Sequence, residues 1–411
     1  MKKLLQINPV LRVNTSTGRI MQEIGELAMQ NGWESYIAYS QGRDGIKPCQ
    51  SHLLPIGNRW SVAWHGIMTR LSDRHGLASD TATKQFISRI EELQPDVIHI
   101  HNIHGYFLNY RILFEYLSQC HIPVVWTVHD CWLYTGHCYY YSFVGCDKWQ
   151  TECGHCPQKR KFPASWWIDS SRQNYMSKKN AFTSMPHNRL TIVPVSEWIK
   201  DEMQRSFFRG YDFRVIHNGI NTQVFKLFDA GLIKNKYSLN GKHILLGVAS
   251  IWSKEKGLDD FIRLSGMLNE NEIIVLVGVD AKTQRYLPRN IIGINRTENV
   301  HELAELYSAA DVFVNPTWQD NYPTVKAIAC GTPVVTYHTG GSIEAVTEDT
   351  GRIVTQGNVK ELLDVIRNIM VKGKSYYRTR CRAYALTHFR KEDRYADYLE
   401  LYNELICKNG K

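Results

Sequence analysis

The sequence predicts two α/β domains, each built on a parallel β-sheet with helices on its faces. Short apolar runs alternate with helical patterns along the chain, which is the order expected of a parallel sheet. The apolar runs lack a polar/apolar alternation, as expected for strands that are buried on both faces. The chain has 411 residues, more than one hydrophobic core usually serves, so we expect two sheets rather than one.

The first half of the chain contains five predicted strands, and the first two flank a helix predicted over residues 18–31. In this helix Ile20, Ile24 and Leu27 recur at helical spacing, and Asn31-Gly32 is typical of a helix C-terminus. The predicted strands are Leu4–Asn8, Ser35–Tyr39, Asp96–His101, Pro123–Val128 and Leu190–Val195.

The same order restarts after a polar stretch at about 222–240, which we interpret as a linker. We therefore predict an N-terminal domain over 1–225 and a C-terminal domain over 238–391. A last helix at about 392–411 carries a stripe of tyrosines and is a candidate to pack back on the N-terminal domain. The strands predicted in the second half are His243–Ala249, Glu272–Val279, Val312–Asn315 and Pro333–Tyr337, and the helices are Gly257–Leu268, Val300–Ala309 and Val359–Met370.

Charge and hydropathy narrow the classes of partner. The net charge of +9 suits phosphate ligands, anionic membranes or nucleic acid. We do not expect nucleic acid, because the basic residues are spread along the chain and no recognition helix is evident. The apolar N-terminal run meets Asn8-Pro9 too early for a signal peptide, and no apolar stretch reaches the roughly 18 residues of a membrane span. We expect a cytoplasmic protein, with peripheral contact at the inner face of the plasma membrane left open. Trp166-Trp167 and Phe207-Phe208 are candidate anchors or else core residues.

An irregular, cysteine-rich insertion is predicted at about 130–180 of the N-terminal domain. Its four cysteines have the spacing C-x7-C-x6-C-x2-C, and the closing C-x-x-C is typical of half of a zinc site. We expect a structural zinc that staples the insertion, without a catalytic role because four thiolates leave no open position. The alternatives are four ordinary thiols or an incidental disulfide. The predicted ligands are Cys138, Cys146, Cys153 and Cys156, with His137 and His155 as substitutes for one of them.

Candidate site residues follow the predicted strands, because ligands of parallel sheets bind at the carboxyl ends of the strands. His101 and His104 follow the third strand, where we expect a polar wall for an acceptor, with metal ligation as the alternative. His129-Asp130 follows the fourth strand and could bind a sugar hydroxyl or a developing charge, or form a structural pair.

Further candidates lie at helix starts and glycine-rich turns that suit phosphate. Gly18 follows the first strand at the start of a helix, where backbone N–H groups can approach an anion. Lys254 and Lys256 precede the first helix of the C-terminal domain, and a lysine at a helix N-terminus suits a diphosphate. Gly340 and Gly341 follow a strand of the same domain and allow close backbone approach to a ligand.

Several segments together resemble the retaining, nucleotide-sugar-dependent glycosyltransferases of family 4, and within them the bacterial colanic-acid and capsule-type exopolysaccharide enzymes. The resemblance covers nearly the whole chain and implies two Rossmann-like domains that face each other across a cleft, the GT-B fold. The segments that carry it are Trp126–Asp130, His217-Asn218-Gly219-Ile220-Asn221, Lys256-Gly257, Ala310-Asp311-Val312-Phe313-Val314, Gly331–Val335 and Gly340-Gly341.

The resemblance implies roles for individual residues. The N-terminal domain would bind a glycan or lipid-linked acceptor, on a side that includes His101, His104 and Asp130. The C-terminal domain would bind a UDP- or GDP-linked hexose. His129 would contact the transferred sugar, and His129 and Asp320 are the implied catalytic positions. Donor binding falls to Gly18, Lys254, Lys256, Asn321, Lys326, Gly340 and Gly341. Members of the family usually need no divalent metal, because cationic side chains and backbone amides neutralise the diphosphate.

The chain departs from the family pattern at two places. An arginine usually stands five or six positions before Lys256, where this chain has Ile251 and Ser250. The family also has two acids separated by seven positions, of which Asp320 fits the first. The second falls on Lys326 or Ile328, depending on the direction of counting. Lysine cannot accept a hydrogen bond from a ribose hydroxyl. We therefore expect donor binding to be weakened or rearranged, with Lys326 at a phosphate, or the chain to be an inactive copy.

Other functions remain open from the sequence alone. A sugar-nucleotide epimerase or a glycosyl phosphorylase would use the same twin-domain fold, although an epimerase would act on the donor without an acceptor. A non-catalytic homologue is the third alternative, which the missing second acid motivates.

Overall fold

The computed structural model describes residues 1–11, 16–40, 49–318, 324–408 and 410. The chain divides into two compact units. The first comprises Met1–Asn218 together with Arg394–Lys411, and the second comprises Gly219–Asp393. Among the described residues, no helix is both long and apolar enough to cross a membrane.

The described part of the first unit contains a seven-stranded parallel sheet with the strand order β3-β2-β1-β4-β5-β6-β7. Its strands are β1 (Lys2–Ile7), β2 (Trp33–Tyr39), β3 (His52–Pro55), β4 (Val97–Ile100), β5 (Val124–Val128), β6 (Leu190–Pro194) and β7 (Asp212–Phe213). Its helices are α1 (Ser16–Gln30), α2 (Arg59–Ser72), α3 (Asp80–Leu93), α4 (Tyr110–Gln119), α5 (Ser171–Phe182) and α6 (Glu197–Gln204).

The described part of the second unit contains a six-stranded parallel sheet with the order β10-β9-β8-β11-β12-β13. Its strands are β8 (His243–Val248), β9 (Glu272–Val277), β10 (Ile291–Ile294), β11 (Val312–Asn315), β12 (Val334–Tyr337) and β13 (Gly351–Val354). The remaining helices of the chain are α7 (Gly231–Lys236), α8 (Leu258–Ser265), α9 (Ala281–Gln284), α10 (Val300–Ala309), α11 (Thr324–Ala329), α12 (Val359–Lys372), α13 (Lys374–His388) and α14 (Lys391–Lys408).

The two parallel sheets confirm the predicted fold class, and the strands that the sequence missed share a position in them. The four missed strands are β3, β7, β10 and β13, which are the edge strands of the two sheets. Edge strands are shielded on fewer sides, and each of these four has partly exposed positions. Central strands such as β4 and β5 are buried at every residue and therefore read as continuous apolar runs.

Helix α14 returns to the first unit and packs on its sheet. Tyr398, Tyr402 and Leu405 belong to one buried cluster with Val97 of β4 and Val125 of β5. The tyrosine stripe seen in the sequence is therefore a core-facing stripe, as helical spacing favours.

The segment between residues 131 and 170, all of which the structure describes, contains short 3-10 turns but no strand or α-helix. Buried polar contacts hold it in place. The Lys178 ammonium on α5 donates to the backbone carbonyl of Trp132 at 2.6 Å. His137 Nδ1 contacts Asp73 Oδ1 at 2.6 Å, which ties the segment to the end of α2. Buried polar groups are costly to leave without their hydrogen-bond partners.

Gly257 is needed where the Lys254–Lys256 turn meets α8. Its φ is +80°, and a Cβ at this position would lie 2.2 Å from the carbonyl oxygen of Pro316. Gly241 has a φ of +72°, but a Cβ there would meet nothing within 4 Å. A side chain at either position would strain the backbone, but only a side chain at Gly257 would also clash with a neighbouring atom.

We expect Gly257→Ala to destabilise the second unit more than Gly241→Ala does. In both variants a left-handed alanine lowers the free energy of unfolding by about 1–2 kcal/mol. Gly257→Ala lowers it by about 1–3 kcal/mol more, because the Pro316 carbonyl must move. Differential scanning calorimetry of the two variants measures the difference. Equal losses of melting temperature would contradict the close packing of this turn.

Candidate active site

A polar cavity opens in the first unit where β4 and β5 end. His101 and His104 follow β4, and His129 and Asp130 follow β5, so the residues that the sequence predicted for sugar and acceptor meet at one place. The cavity is lined by His101, Asn102, Ile103, His104, Trp126, Thr127, Val128, His129, Asp130, Trp132 and Leu133. The carboxyl ends of neighbouring parallel strands converge in this way because their side chains leave the sheet at the same edge.

A chain of hydrogen bonds fixes the orientation of His129. The side-chain amide of Gln6 donates from Nε2 to the backbone carbonyl of Met21 at 2.9 Å. Its Oε1 therefore faces His101 Nε2, at 3.1 Å, and must accept from it. Since His101 then carries its proton on Nε2, its Nδ1 accepts from His129 Nε2 at 3.3 Å. The proton of His129 is thus placed on Nε2, and Nδ1 is left as an acceptor.

A second group of buried contacts, around His99, packs against these hydrogen-bonded residues. The rings of His99 and His101 lie 4.0 Å apart between centroids. His99 Nδ1 hydrogen-bonds to the Tyr402 hydroxyl of α14 at 2.6 Å, and its Nε2 lies 2.8 Å from Thr127 Oγ1. Thr127 in turn lies 3.0 Å from the Tyr398 hydroxyl. Two tyrosines of helix α14 therefore hold His99 and Thr127 in place beside the cavity.

The three imidazoles are neutral near pH 7 for a physical reason. Burial lowers the pKa of His99 and of His101 well below the usual value, and the neighbouring imidazoles lower it further. Burial also lowers the pKa of His129 to about 4, although the Asp130 carboxylate acts in the opposite direction. A neutral His129 can accept a hydrogen bond from a hydroxyl, which an imidazolium cannot.

His104 and Asp130 form the charged side of the cavity. His104 Nε2 lies 2.7 Å from Asp130 Oδ2, and the backbone N–H of Trp132 donates to Asp130 Oδ1 at 2.9 Å. Burial would raise the pKa of Asp130, but the His104 charge and these hydrogen bonds hold it below its usual value. Asp130 is therefore a carboxylate whose two oxygens are both oriented by the protein.

The predicted phosphate residues of the second unit lie at the carboxyl ends of β8 and β12. The turn Lys254–Lys256 follows β8 and leads through Gly257 into α8. The backbone N–H of Trp318, beyond β11, donates to the carbonyl of Glu255 at 2.9 Å and ties this turn to the neighbouring strand. Lys254 and Lys256 are thereby held at one edge of the sheet, at the start of a helix.

Gly340 and Gly341 begin a 3-10 turn directly after β12, and Gly340 has a φ of +52°. The amide of Asn315 on β11 donates to Thr336 Oγ1 on β12 at 3.0 Å, and Thr336 Oγ1 donates to Ser342 Oγ at 3.3 Å. These contacts couple the glycine turn to both strand ends.

The remaining predicted donor residues are placed as follows. Gly18 is buried in the first turn of α1, in the first unit. Lys326 lies on α11 with its ammonium 5.4 Å from the centre of the Phe225 ring. Ile328, the other position counted for the second acid, is fully buried in the core. Asp320 and Asn321 lie outside the described residues.

The cysteine cluster differs from its prediction as a zinc site. Cys138, Cys146, Cys153 and Cys156 are free thiols that line one cavity. The described residues nevertheless contain no group of three or more His, Cys, Asp or Glu side chains that could hold a metal ion. Cys138 and Cys156 hydrogen-bond to each other, and Cys153 accepts from the Gly136 N–H at 3.2 Å. The structure therefore does not support the predicted zinc, and the polar contacts of Lys178 and His137 hold the segment instead.

Two family models match the chain in consecutive segments. The model of Glycosyl transferases group 1 matches residues 242–371, and the model of Glycosyltransferase Family 4 matches residues 18–224. This chain belongs to Glycosyltransferase Family 4. The protein is a glycosyltransferase, and the alternatives of an epimerase, a phosphorylase or a non-catalytic homologue are not favoured.

Known proteins resemble this family 4 glycosyltransferase over most of its length. Escherichia coli (strain K12) WcaC, named as a colanic acid biosynthesis glycosyl transferase, is 24% identical over 374 residues, or 88% of this chain and 89% of that protein. Sucrose-phosphate synthase from Thermosynechococcus elongatus has a TM-score of 0.71 at 15% identity, covering 99% of this chain and 100% of that one. Anabaena HepE, solved with UDP, has a TM-score of 0.68 at 14% identity, covering 98% of this chain and 100% of that one. These likenesses identify the fold as GT-B.

The sequence did not reveal that four residues position the site of this family 4 enzyme, although His99 stands in the histidine-rich end of the third predicted strand. Gln6, His99 and Thr127 lie inside strands, where their polar side chains interrupt otherwise apolar runs. Tyr402 lies on a helix about 300 residues further along the chain and was interpreted as core. A buried polar residue inside an apolar strand was the available signal, because such a group needs a partner.

We expect Tyr402→Phe to destabilise the enzyme by about 1–3 kcal/mol, because it leaves buried His99 Nδ1 without its hydrogen-bond partner. Tyr286→Phe is a matched control, since its hydroxyl bonds Thr283 Oγ1 at 3.2 Å on a half-exposed residue; we expect a change within about 0.5 kcal/mol there. Thermal unfolding followed by circular dichroism compares the two. A Tyr402→Phe protein as stable as the control would show that the contact of α14 with His99 is dispensable.

Proposed function

We propose that this enzyme transfers a hexose, with retention of configuration, from a UDP- or GDP-linked sugar to a lipid-linked glycan during exopolysaccharide biosynthesis. The observation that carries the proposal is the cavity around His129, where an oriented imidazole, an oriented carboxylate and a second histidine converge at the ends of β4 and β5.

His129 fits a role in holding the transferred sugar. Its proton is committed to His101, and its Nδ1 can accept a hydrogen bond from a sugar hydroxyl. A neutral ring avoids repulsion with the positive charge that develops on the sugar as the glycosidic bond breaks. His129 is therefore a positioning and electrostatic residue, because a group with a pKa of about 4 is a poor proton carrier near pH 7.

Lys256 and the turns at the carboxyl edge of the second sheet fit the donor diphosphate. Negative charge grows on the leaving phosphate during transfer, and a fixed cation beside helix-start amides stabilises it. The neighbour HepE was solved with UDP and with UDP-glucose, which supports a uridine donor. Lys254 is exposed, whereas Lys256 is half-buried beside the start of α8, so Lys256 is the stronger candidate.

The reaction that fits these groups has no protein nucleophile. The bond between the anomeric carbon and the diphosphate oxygen breaks, and the acceptor hydroxyl forms a bond to the same face of the carbon. The proton of that hydroxyl passes to a phosphate oxygen of the leaving group. The contribution of the protein is then position and charge, which can supply a large part of a rate enhancement.

The missing second acid bears on how tightly the donor binds. Lys326 cannot accept a hydrogen bond from a ribose, and Ile328 is buried in the core. We therefore propose that the ribose is held less tightly than the family pattern implies, with Lys326 as a candidate contact of a donor phosphate.

The acceptor side follows from the first unit. His104 and Asp130 present hydrogen-bonding groups suited to sugar hydroxyls. Both ring nitrogens of His101 are engaged by Gln6 and His129, so His101 lines the wall by orienting His129 rather than by binding the acceptor itself. The relative WcaC is named for colanic acid biosynthesis. A lipid-linked acceptor would bring the enzyme to the inner face of the plasma membrane.

A thermal-shift series tests the donor assignment. We expect UDP or GDP, alone and as a sugar conjugate, to raise the melting temperature of the purified enzyme, because a ligand that binds only the native state stabilises it. We expect Lys256→Ala to lose most of this shift and Lys282→Ala, which removes an exposed lysine of α9, to retain it.

The thermal-shift results either support or contradict the assignment of the donor site. A shift with one nucleotide that Lys256→Ala abolishes supports the donor site. Millimolar nucleotide without any shift, or a shift that both lysine variants retain equally, would contradict the assignment of Lys256 to the diphosphate.

A further inference from the structure

Helix α2 exposes an apolar stripe that the domain core does not use. Trp60, Trp64, Ile67 and Leu71 are all exposed, with Trp60 at 73% of its surface. Their spacing of four, three and four residues places them on one face of the helix. The face that packs into the domain is a different one, and it buries small or polar residues of the same helix, namely His65, Gly66 and Thr69.

The segment that follows the cysteine cluster extends this apolar face. Phe162, Trp166, Trp167 and Ile168 are exposed, with Trp167 at 68% of its surface. The sequence left open whether Trp166-Trp167 is an anchor or core, and it lies on the surface. Phe208, of the other candidate pair, is fully buried, and Phe207 packs partly buried against the core.

Backbone hydrogen bonds join the two segments into one surface. The Trp166 N–H donates to the carbonyl of Arg70 at 2.9 Å, and Ser170 Oγ donates to the carbonyl of Ser72 at 3.0 Å. We call this combined face the α2 surface. It consists of Trp60, Trp64, Ile67, Leu71, Phe162, Trp166, Trp167 and Ile168.

The two segments that form the α2 surface carry charges of one sign. Residues 59–72 and 159–168 contain the basic residues Arg59, Arg70, Lys159, Arg160 and Lys161 and no aspartate or glutamate. The nearest acids in the sequence are directed to internal partners. Asp73 is buried against His137. The carboxylate of Asp169 accepts hydrogen bonds from the Cys156 N–H at 2.7 Å and from Ser171.

Several basic side chains lie directly beside the exposed tryptophans. The Arg59 guanidinium lies 5.2 Å from the centre of a Trp60 ring, and the Lys159 ammonium donates to the Trp167 carbonyl at 2.9 Å. Tryptophan rings with flanking basic side chains match the interface of a bilayer, where the ring enters the headgroup boundary and the cation meets lipid phosphate. A water-exposed face of this size is otherwise unfavourable for a monomer.

We propose that the α2 surface attaches the enzyme peripherally to membranes that contain anionic phospholipid. The tryptophans and aliphatic side chains enter the headgroup region, and the five basic residues meet the lipid phosphates. The proposal does not depend on the donor or on transfer, because attachment is measured without either.

Vesicle sedimentation with the full chain tests the proposal. We expect the protein to sediment with vesicles of phosphatidylcholine and phosphatidylglycerol, weakly with phosphatidylcholine alone, and less as salt is raised. We expect Trp60→Ser with Trp64→Ser to lower the partition coefficient at least about tenfold. The double variant Arg160→Glu with Lys161→Glu should lower the partition coefficient as well, by about fivefold or more for each positive charge that is removed.

The matched control is Leu232→Ser with Val371→Ser, which removes two exposed aliphatic side chains from the second unit. We expect this control to bind vesicles as the wild type does, and circular dichroism should show all variants folded, since the changed residues are exposed. The proposal is overturned if the wild type fails to sediment with anionic vesicles, or if the tryptophan variant binds like the control. It is also overturned if the wild type forms a dimer in solution that the tryptophan variant cannot form.

Discussion

The hydrogen-bond chain from Met21 through Gln6 and His101 to His129 fixes the chemistry of the cavity. It begins at a backbone carbonyl, which can only accept, and each later bond inherits its direction from that end. Burial keeps every imidazole of the chain neutral, so no ring can reverse the order by gaining a proton. The position of the proton on His129 is therefore decided inside the domain, before any sugar binds. An oriented neutral acceptor in this place loses little to reorganisation when a ligand arrives.

Buried histidines of β4 and of the turn after it link β1 and α14 in the first unit. Gln6 lies on the first strand, and Tyr402 lies on the last helix, yet both contact the same pair of adjacent histidines. Two buried imidazoles side by side need partners on both rings, since an unpaired buried nitrogen is costly. Helix α14 supplies one of these partners and also covers the apolar face of β4 and β5. Helix α14 thus contributes to packing and to the site together.

The sequence predicted the central strands and the strand-end residues well, because burial on both faces leaves a continuous apolar pattern and parallel strands end at one edge. It could not predict the edge strands, whose exposure breaks that pattern. The family match bears out the resemblance that the sequence showed. The pairing of His99 with Tyr402 was not readable from the chain, because about 300 residues separate the two. The cysteine spacing suggested zinc, whereas the structure shows buried contacts of Lys178 and His137 with residues 131–170, which spacing alone does not encode.

The central claim is that His129 is a neutral imidazole with its proton on Nε2. Nitrogen-15 NMR of the histidine-labelled full chain, with His129 assigned by comparison with His129→Gln, tests it directly. We predict ring nitrogen shifts of the Nε2–H form that stay constant from pH 8 down to about pH 5, because burial lowers the pKa of His129 to about 4. A His129 signal that titrates near its ordinary pKa of about 6.5, or that shows the proton on Nδ1, would contradict the account.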